Sequence, residues 1–399
     1  MDKRIVVAFT GGLQSSVCLH WLYERRRARV AAVVAELGQR SPTWELGESA
    51  VKIGAEGAHI EDCREEFCRD YAFRALRASA VYERSCLLSG ALARPLIAAV
   101  LVRVAREENC ECLALGACSR SNDLARFRKN VTSLAPELKI IGPDEIPPLS
   151  SRAKALHYAE EHGIIPQEGT SPTLSFDTNL WGAAIALDPA LGTWESVPEQ
   201  LFQLSCNPED APDEPELVTV EFEQGTPVAV DGERLAPHTL VKRMNERAGR
   251  HGVGRAEVIE DRLAGAKSRE IYEAPGATAL MEAHSALEEL TLDYETLQAK
   301  CEAARWYAEQ VYSGGWFSPL RTALDAFMET TQRTVSGEVR LELYRGRVGV
   351  VGRRSPHSLY DGDVCAEEDS AAREGTLREP ITRRTSAFHR SRPDGRSRP

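Results

Sequence analysis

No stretch of this chain is long and apolar enough to span a bilayer. The longest strongly apolar run, Leu96 to Val102, stops at Arg103, well short of the ~20 residues a membrane helix needs. Positive charge is in short supply too: 49 Lys+Arg stand against 60 Asp+Glu, a formal net charge of -11. That balance argues against nonspecific binding to nucleic acid or anionic lipid. A disulfide framework is missing, because ten cysteines in 399 residues are too sparse for a stapled secreted fold. Cys63 and Cys68 have no matching His/Cys pair at zinc spacing. The nine histidines form no H-x-x-x-H or H-E-x-x-H pattern, so no catalytic histidine and no metal-ligand residue are assigned. The opening Met-Asp-Lys-Arg runs straight into a strand-like stretch, so no secretory signal is expected. These absences lead to the expectation of a cytoplasmic protein with reduced thiols, no nucleic-acid partner and no membrane partner.

The composition, 42% hydrophobic and 27% charged, is that of a globular protein, and the length suggests two or three domains. In the first half, short apolar runs alternate with helical stretches. Arg4–Phe9, Val30–Leu37, Leu113–Gly116 and Leu138–Gly142 read as buried strands. Val17–Arg27, Glu45–Gly57, Arg64–Ala80, Leu92–Glu108 and Ser151–His162 read as helices. Near-continuous apolar strands separated by helices predict a parallel sheet covered on both faces. Beyond residue 170 Pro and Gly become frequent and Asn207–Pro215 is a polar loop. Leu217–Glu223 with Pro227–Val230, and Val339–Tyr344 with Arg347–Val351, read as hairpins, and Ala277–Glu309 as helical. The boundaries drawn from this are a nucleotide-binding domain at 1–168, a synthetase and multimerisation domain at 169–363, and a charged, flexible tail at 364–399.

The strongest motif is Thr10-Gly11-Gly12-Leu13-Gln14-Ser15-Ser16, between the first strand and the first helix. The glycine pair permits a tight turn that brings backbone N–H groups to an anion, and the helix N-terminus adds partial positive charge. There is no Gly-Lys for a Walker A loop and no G-x-G-x-x-G dinucleotide fingerprint. The form fits the pyrophosphate loop of ATP pyrophosphatases. The plainer alternative is a helix start capped by Thr10 or Ser15.

Further along, the chain resembles the argininosuccinate synthase family, from Arg4 to about Tyr360. The resemblance is carried by Ala8–Ser16, Leu37-Gly38-Gln39, Leu92-Ala93-Arg94-Pro95, Asn122-Asp123 with Arg126-Phe127, Ala159–Ile164, Asn179-Leu180-Trp181-Gly182 and Gly252–Arg255. Lys267-Ser268-Arg269, Tyr272-Glu273, Pro275-Gly276, Ser318-Pro319 and Ser355-Pro356 extend it. It implies an α/β fold: a parallel-sheet ATP-pyrophosphatase (HUP-like) nucleotide-binding domain followed by an α+β synthetase domain. It implies an ATP-dependent, AMP- and pyrophosphate-forming C–N ligase. In that reaction a ureido oxygen of citrulline attacks the α-phosphate of ATP, and the amine of aspartate then displaces AMP. ATP and Mg²⁺, small amino-acid substrates and a homotetramer are implied with it.

Residue by residue, the resemblance assigns Ala8, Thr10, Gly11, Gly12, Ser15, Ser16, Ala35 and Gly116 to ATP. It assigns Cys86, Cys118, Asn122, Asp123, Arg126, Ser175, Glu260 and Tyr272 to substrates, with Asp123 and Arg126 as the catalytic pair. Several positions depart from the family. Gln14 replaces an Asp in the pyrophosphate loop. Cys86, Ala91 and Ala184 replace a Tyr and two hydroxyl residues at the citrulline site. Cys118, Ser119, Arg120 and Ser121 replace Thr-Gly-Lys-Gly at the aspartate site. Lost hydroxyl donors leave a polar substrate unsatisfied by roughly 1–3 kcal/mol each. The expectation is therefore retained ATP chemistry with altered substrate choice. A catalytically silent regulatory homologue, and a sulfur-transfer enzyme using Cys86 or Cys118, stand as the alternatives.

Overall fold

The structure, a computed structural model, describes residues 4–39, 41–83, 85–117, 121–166, 175–187 and 192–360. Strands β1 (Arg4–Ala8), β2 (Arg29–Glu36), β3 (Gly57–Asp62), β4 (Cys112–Leu115) and β5 (Lys139–Ile141) form a parallel sheet in the order β3-β2-β1-β4-β5. Because side chains alternate along a strand, the apolar runs feed both faces. Ile5, Val7, Val30, Ala32 and Val34 pack with helices α1 (Leu13–Arg26), α2 (Thr43–Ile53) and α7 (Arg152–Glu161). Val6, Ala31 and Val33 face the opposite core, with α5 (Ser89–Glu107) and α6 (Asn122–Leu134). This is the two-faced parallel sheet the apolar runs predict.

Several elements differ from the sequence reading. Helix α1 starts at Leu13 rather than Val17, its first turn formed by the glycine loop itself. The helix expected over Glu45–Gly57 ends at Ile53, and Gly57 opens the edge strand β3, whose side chains are mostly half-buried and polar enough to hide it from pattern reading. Helix α6 was not anticipated; Ser121 caps it by accepting from the Leu124 N–H at 3.2 Å. The helical span over Ala277–Glu309 is two helices, α9 (Pro275–Thr291) and α10 (Tyr294–Tyr312). Asp293 separates them by capping the Thr296 N–H at 2.9 Å.

The second region carries two antiparallel sheets. One has the order β10-β9-β8-β13-β14, formed by β8 (Glu216–Glu223), β9 (Thr226–Val230), β10 (Glu233–Arg234), β13 (Gly337–Tyr344) and β14 (Arg347–Arg354). Both expected hairpins are present. Gln224-Gly225 and Arg345-Gly346 take consecutive positive φ values (48° and 73°; 43° and 82°), the geometry that matches strand twist in two-residue loops. The other sheet, β11-β12-β7-β6, joins β6 (Ser175–Asn179), β7 (Gly182–Ala186), β11 (Arg255–Asp261) and β12 (Lys267–Glu273). Its strands are short or charge-rich and were missed in the sequence. Helices α8 (Pro237–Arg250), α9 and α11 (Pro319–Thr331) complete the region. Among the described residues no helix is long and apolar enough to cross a membrane.

The β6–β7 turn locks the two regions together. The Leu180 N–H donates to the Leu37 carbonyl at 2.8 Å, Asn179 Nδ2 to the Ser89 carbonyl at 2.9 Å, and the Trp181 indole to the Leu87 carbonyl at 3.1 Å. Gly38 (φ +85°) lies so close to Leu180 that a Cβ there would sit 2.5 Å from its Cγ. The L-G-Q stretch thus acts first as a docking point. Gln39 folds back to accept from the Leu37 N–H at 2.7 Å and donate to the Ala35 carbonyl at 3.0 Å.

Candidate functional site

A cavity of about 530 Å³ opens where the carboxyl ends of β1, β2 and β4 face the β6–β7 hairpin. Strands β2 and β4 leave β1 on opposite sides, so the cavity sits at the switch point where open α/β sheets bind ligands. Ala8, Thr10 and Gly12 line one wall, Ala35, Leu115 and Gly116 the floor, and Asp123, Asp177 and Arg94 the far side.

The loop after β1 turns sharply into α1. Gly11 has φ +73°, which only glycine adopts without strain. The N-cap of α1 is Gly12, which has no side chain to cap with. The hydroxyls turn inward instead: Ser15 Oγ donates to the Gly12 carbonyl at 3.0 Å, and Thr10 and Ser15 share a hydrogen bond at 3.2 Å. Neither hydroxyl stands at the N-cap position, but Thr10 Oγ1 accepts from the Gly12 N–H at 3.4 Å and Ser15 Oγ from the Thr10 N–H at 3.3 Å, so the hydroxyl-capped turn is present beside the positive helix end. Ser16 Oγ is buried and has no partner among the described residues. A buried orphan hydroxyl one turn into the loop fits a phosphate oxygen. Gly116 matters for packing: a Cβ there would lie 2.5 Å from Ser15 Cα and 2.7 Å from its N, so β4 holds the loop's backbone from below.

The Ser16 hydroxyl separates stability from function. Ser16→Ala removes an unsatisfied buried group, so the melting temperature should hold or rise, while kcat/KM for ATP should fall roughly 10- to 100-fold through loss of a charge-assisted hydrogen bond. Parallel thermal melts and pyrophosphate-release assays check it; a matching loss of stability would show the hydroxyl to be structural.

Opposite the loop stands an ionic cluster. Arg94, 9% exposed, donates through Nη2 to Asp123 Oδ2 at 2.9 Å and to Asp177 Oδ2 at 2.6 Å. Arg126 Nη1 donates to Asp123 Oδ1 at 3.1 Å, and its Nε to the Tyr312 carbonyl at 2.7 Å. Burial alone would raise the Asp123 carboxyl, but Arg94 and Arg126 outweigh it and hold it at about 2. Burial raises the Asp177 carboxyl above its ordinary value, against the pull of Arg94. Asp123 is thus a fixed anion, and Asp177 the member of the pair that takes up a proton more readily.

A buried polar chain continues from this cluster into the second region. Asn122 Nδ2 donates to the Tyr312 hydroxyl at 2.9 Å, and Asn122 Oδ1 accepts from the Leu263 N–H at 3.0 Å. Tyr312 and Tyr272 donate to the two oxygens of Glu260, at 2.8 and 2.5 Å. Burial, then the neighbouring Cys86 and Glu260, push the Tyr272 hydroxyl up. The Cys86 thiol lies against Tyr272, and burial pushes it up to about 11. Tyr82 stacks on Tyr312 with ring centroids 3.6 Å apart.

The structure therefore places Ala8, Thr10, Gly12, Ala35, Gly116 and Asp123 on the cavity, and Gly11, Ser15 and Ser16 in the loop that forms its wall. Asn122, Arg126, Glu260, Tyr272 and Cys86 form the adjoining buried network. Ser175 opens β6 opposite Ala186. Cys118 lies outside the described residues. Arg94 and Asp177 were missed as site residues. Arg94 was visible within L-A-R-P, but its two carboxylate partners are 29 and 83 residues away in sequence.

Comparison with known proteins gives this geometry its context. The family models named "Arginosuccinate synthase N-terminal HUP domain" and "Arginosuccinate synthase C-terminal domain" match residues 4–165 and 174–378. Relatives called argininosuccinate synthase include one from Chlorobium luteolum, 44% identical over 92% of both chains. One from Carboxydothermus hydrogenoformans is 46% identical over 92% of this chain and 91% of its own. One from Pelotomaculum thermopropionicum is 47% identical over 90% of each. With the parallel sheet, the glycine loop and matches spanning both regions, the chain belongs to the argininosuccinate synthase family.

Proposed function

We propose that this protein is an ATP-dependent, AMP- and pyrophosphate-forming C–N ligase of the argininosuccinate synthase type whose amino-acid pocket has been altered. The observation that carries the reading is the glycine loop at the start of α1, whose Thr10, Gly12 and Gln14 line one cavity with the Asp123–Arg94–Asp177 cluster. A carbonyl-type oxygen of citrulline or a related amino acid attacks the α-phosphorus of ATP. The bond to the β-phosphate oxygen breaks, and pyrophosphate leaves with its charge on the loop's N–H groups. An amine such as that of aspartate then adds to the activated carbon, and AMP leaves. The protein's share is positioning and charge stabilisation. Thr10, Gly11, Gly12, Ser15 and Ser16 hold the phosphates, and Ala8, Ala35 and Gly116 shape the nucleotide's floor. Asp123, kept anionic by Arg94 and Arg126, orients a hydrogen-bond donor such as the amine; at about 2 its carboxyl is too weak a base to take a proton.

Mg²⁺ fits as an ion carried in on the phosphates, where it neutralises charge on the leaving pyrophosphate. Oxygens of Thr10, Ser15 and Gln14 are at hand, but the loop has no carboxylate, and the cavity's two carboxylates are tied to Arg94. The domain boundary at residue 168, the tetramer and the cytoplasmic location belong to the same reading; light scattering on the purified chain tests the tetramer.

The altered pocket is argued from a row across the β11-β12-β7-β6 sheet. Ala184 pairs with Tyr272 on one side and Asp177 on the other, so these three share a face. A family hydroxyl at 184 would sit between the Glu260 network and the Arg94 cluster, and the alanine removes it. We expect slow citrulline- and aspartate-dependent pyrophosphate release, raised about tenfold by Ala184→Ser. Wild-type turnover equal to that of an argininosuccinate synthase assayed alongside, and unmoved by the serine, would refute the altered pocket. Sulfur transfer at Cys86 is disfavoured because a fully buried thiol pushed up to about 11 supplies almost no thiolate.

A further inference from the structure

Away from the cavity, on the far half of α1, three side chains that the sequence scatters converge. His20 and Glu24, one turn apart on α1, meet His162 at the C-cap of α7. Their nearest ligand atoms all lie within 4.8 Å of one another. The surrounding hydrogen bonds place the proton of the His162 ring. His162 Nδ1 is 2.8 Å from the Tyr158 carbonyl, which only accepts, so Nδ1 bears the hydrogen. Its Nε2 lone pair then points toward Glu24 Oε2 at 3.4 Å. The Tyr158 hydroxyl sits 3.4 Å from the same Glu24 oxygen and 3.0 Å from His20 Nδ1. Two imidazoles and a carboxylate thus share one small space, a donor set that suits a transition-metal ion.

We propose that His20, Glu24 and His162 form a binding site for a divalent transition ion of the zinc class, with Tyr158 as the outer residue that orients both imidazoles. Two imidazole nitrogens and one carboxylate oxygen suit zinc, cobalt or nickel and do not suit magnesium or calcium. Tetrahedral ligand atoms lie about 3.3 Å apart at the usual bond lengths, so a small closure of the Glu24 side chain, 44% exposed, completes the set. Orientation of each imidazole through its other nitrogen is the arrangement metal-binding histidines show. Arg25, 63% exposed, reaches Glu24 Oε2 at 3.7 Å from the solvent side and is displaced when the ion binds. The ion ties the end of α1 to α7, and α1 begins at the phosphate loop; the site nonetheless stands independently of the ligase reading.

Cobalt titration of the reduced full-length protein tests this. One Co²⁺ per chain should bind with visible d–d bands and no thiolate charge-transfer band, which separates it from a cysteine site. His20→Gln, Glu24→Gln and His162→Gln should each weaken binding at least tenfold, and Tyr158→Phe less so. Zn²⁺ at tenfold excess over its Kd should raise the melting temperature by about 3 °C in the wild type only, and Mg²⁺ should not. Wild-type protein that binds no cobalt, or d–d bands that persist unchanged in Glu24→Gln, would overturn the site; that exposed variant keeps the test decisive if a histidine variant fails to fold.

Discussion

Arg94→Met is expected to destabilise the protein by about 3–5 kcal/mol and to reduce pyrophosphate release more than 100-fold. One guanidinium nitrogen, Nη2, bonds both Asp123 and Asp177. Removing it leaves two carboxylates, each about one-third exposed, facing each other without the buried cation they share, and breaking an ion pair from one side leaves an uncompensated charge. The double variant Arg94→Met/Asp177→Asn should recover much of the stability, because it removes the second charge, but little of the activity, because Asp123 loses one of its two arginine anchors and keeps only Arg126. Denaturant unfolding and the pyrophosphate assay separate the two effects. A double variant as unstable as the single one would contradict the electrostatic account.

Gly116→Ala should cost about 1–3 kcal/mol and about 100-fold in pyrophosphate release with the fold retained. The added Cβ meets backbone, namely Ser15 Cα at 2.5 Å, Ser15 N at 2.7 Å and the Gln14 carbonyl at 2.8 Å. Backbone cannot rotate aside as a side chain does, so the phosphate loop must shift; overpacking carries that stability cost, and a displacement of about 1 Å at a reacting site is worth about 100-fold in rate. Gly12→Ala provides the contrast in stability. Its Cβ would meet only Thr10 Oγ1, at 3.4 Å, so the melting transition should move by less than about 0.5 kcal/mol. Equal destabilisation by both substitutions would sink the argument that Gly116 supports the loop.

These expectations draw on features of unequal visibility in the sequence. The loop at Thr10–Ser16 and the apolar strands around it were legible because each is local. A strand's alternation and a turn's glycine demand report directly on backbone geometry. The two Xaa-Gly hairpin turns were legible for the same reason. Strand β11 was not: most of its side chains are exposed or half-exposed, so it lacks the apolar alternation that betrays a strand. Helix α6 escaped because it follows a loop quoted for its chemistry, and only Ser121 marks its start.

The chain by itself determined the parallel sheet, the glycine loop after its first strand and the family to which those residues belong, since these follow from short-range pattern and backbone chemistry. Tertiary structure alone decided that Arg94 serves two aspartates, that Ala184 stands between Tyr272 and Asp177, and that His20, Glu24 and His162 share one space. Such juxtapositions join residues tens to more than a hundred positions apart, and they exist only once sheet register and helix packing bring those residues together.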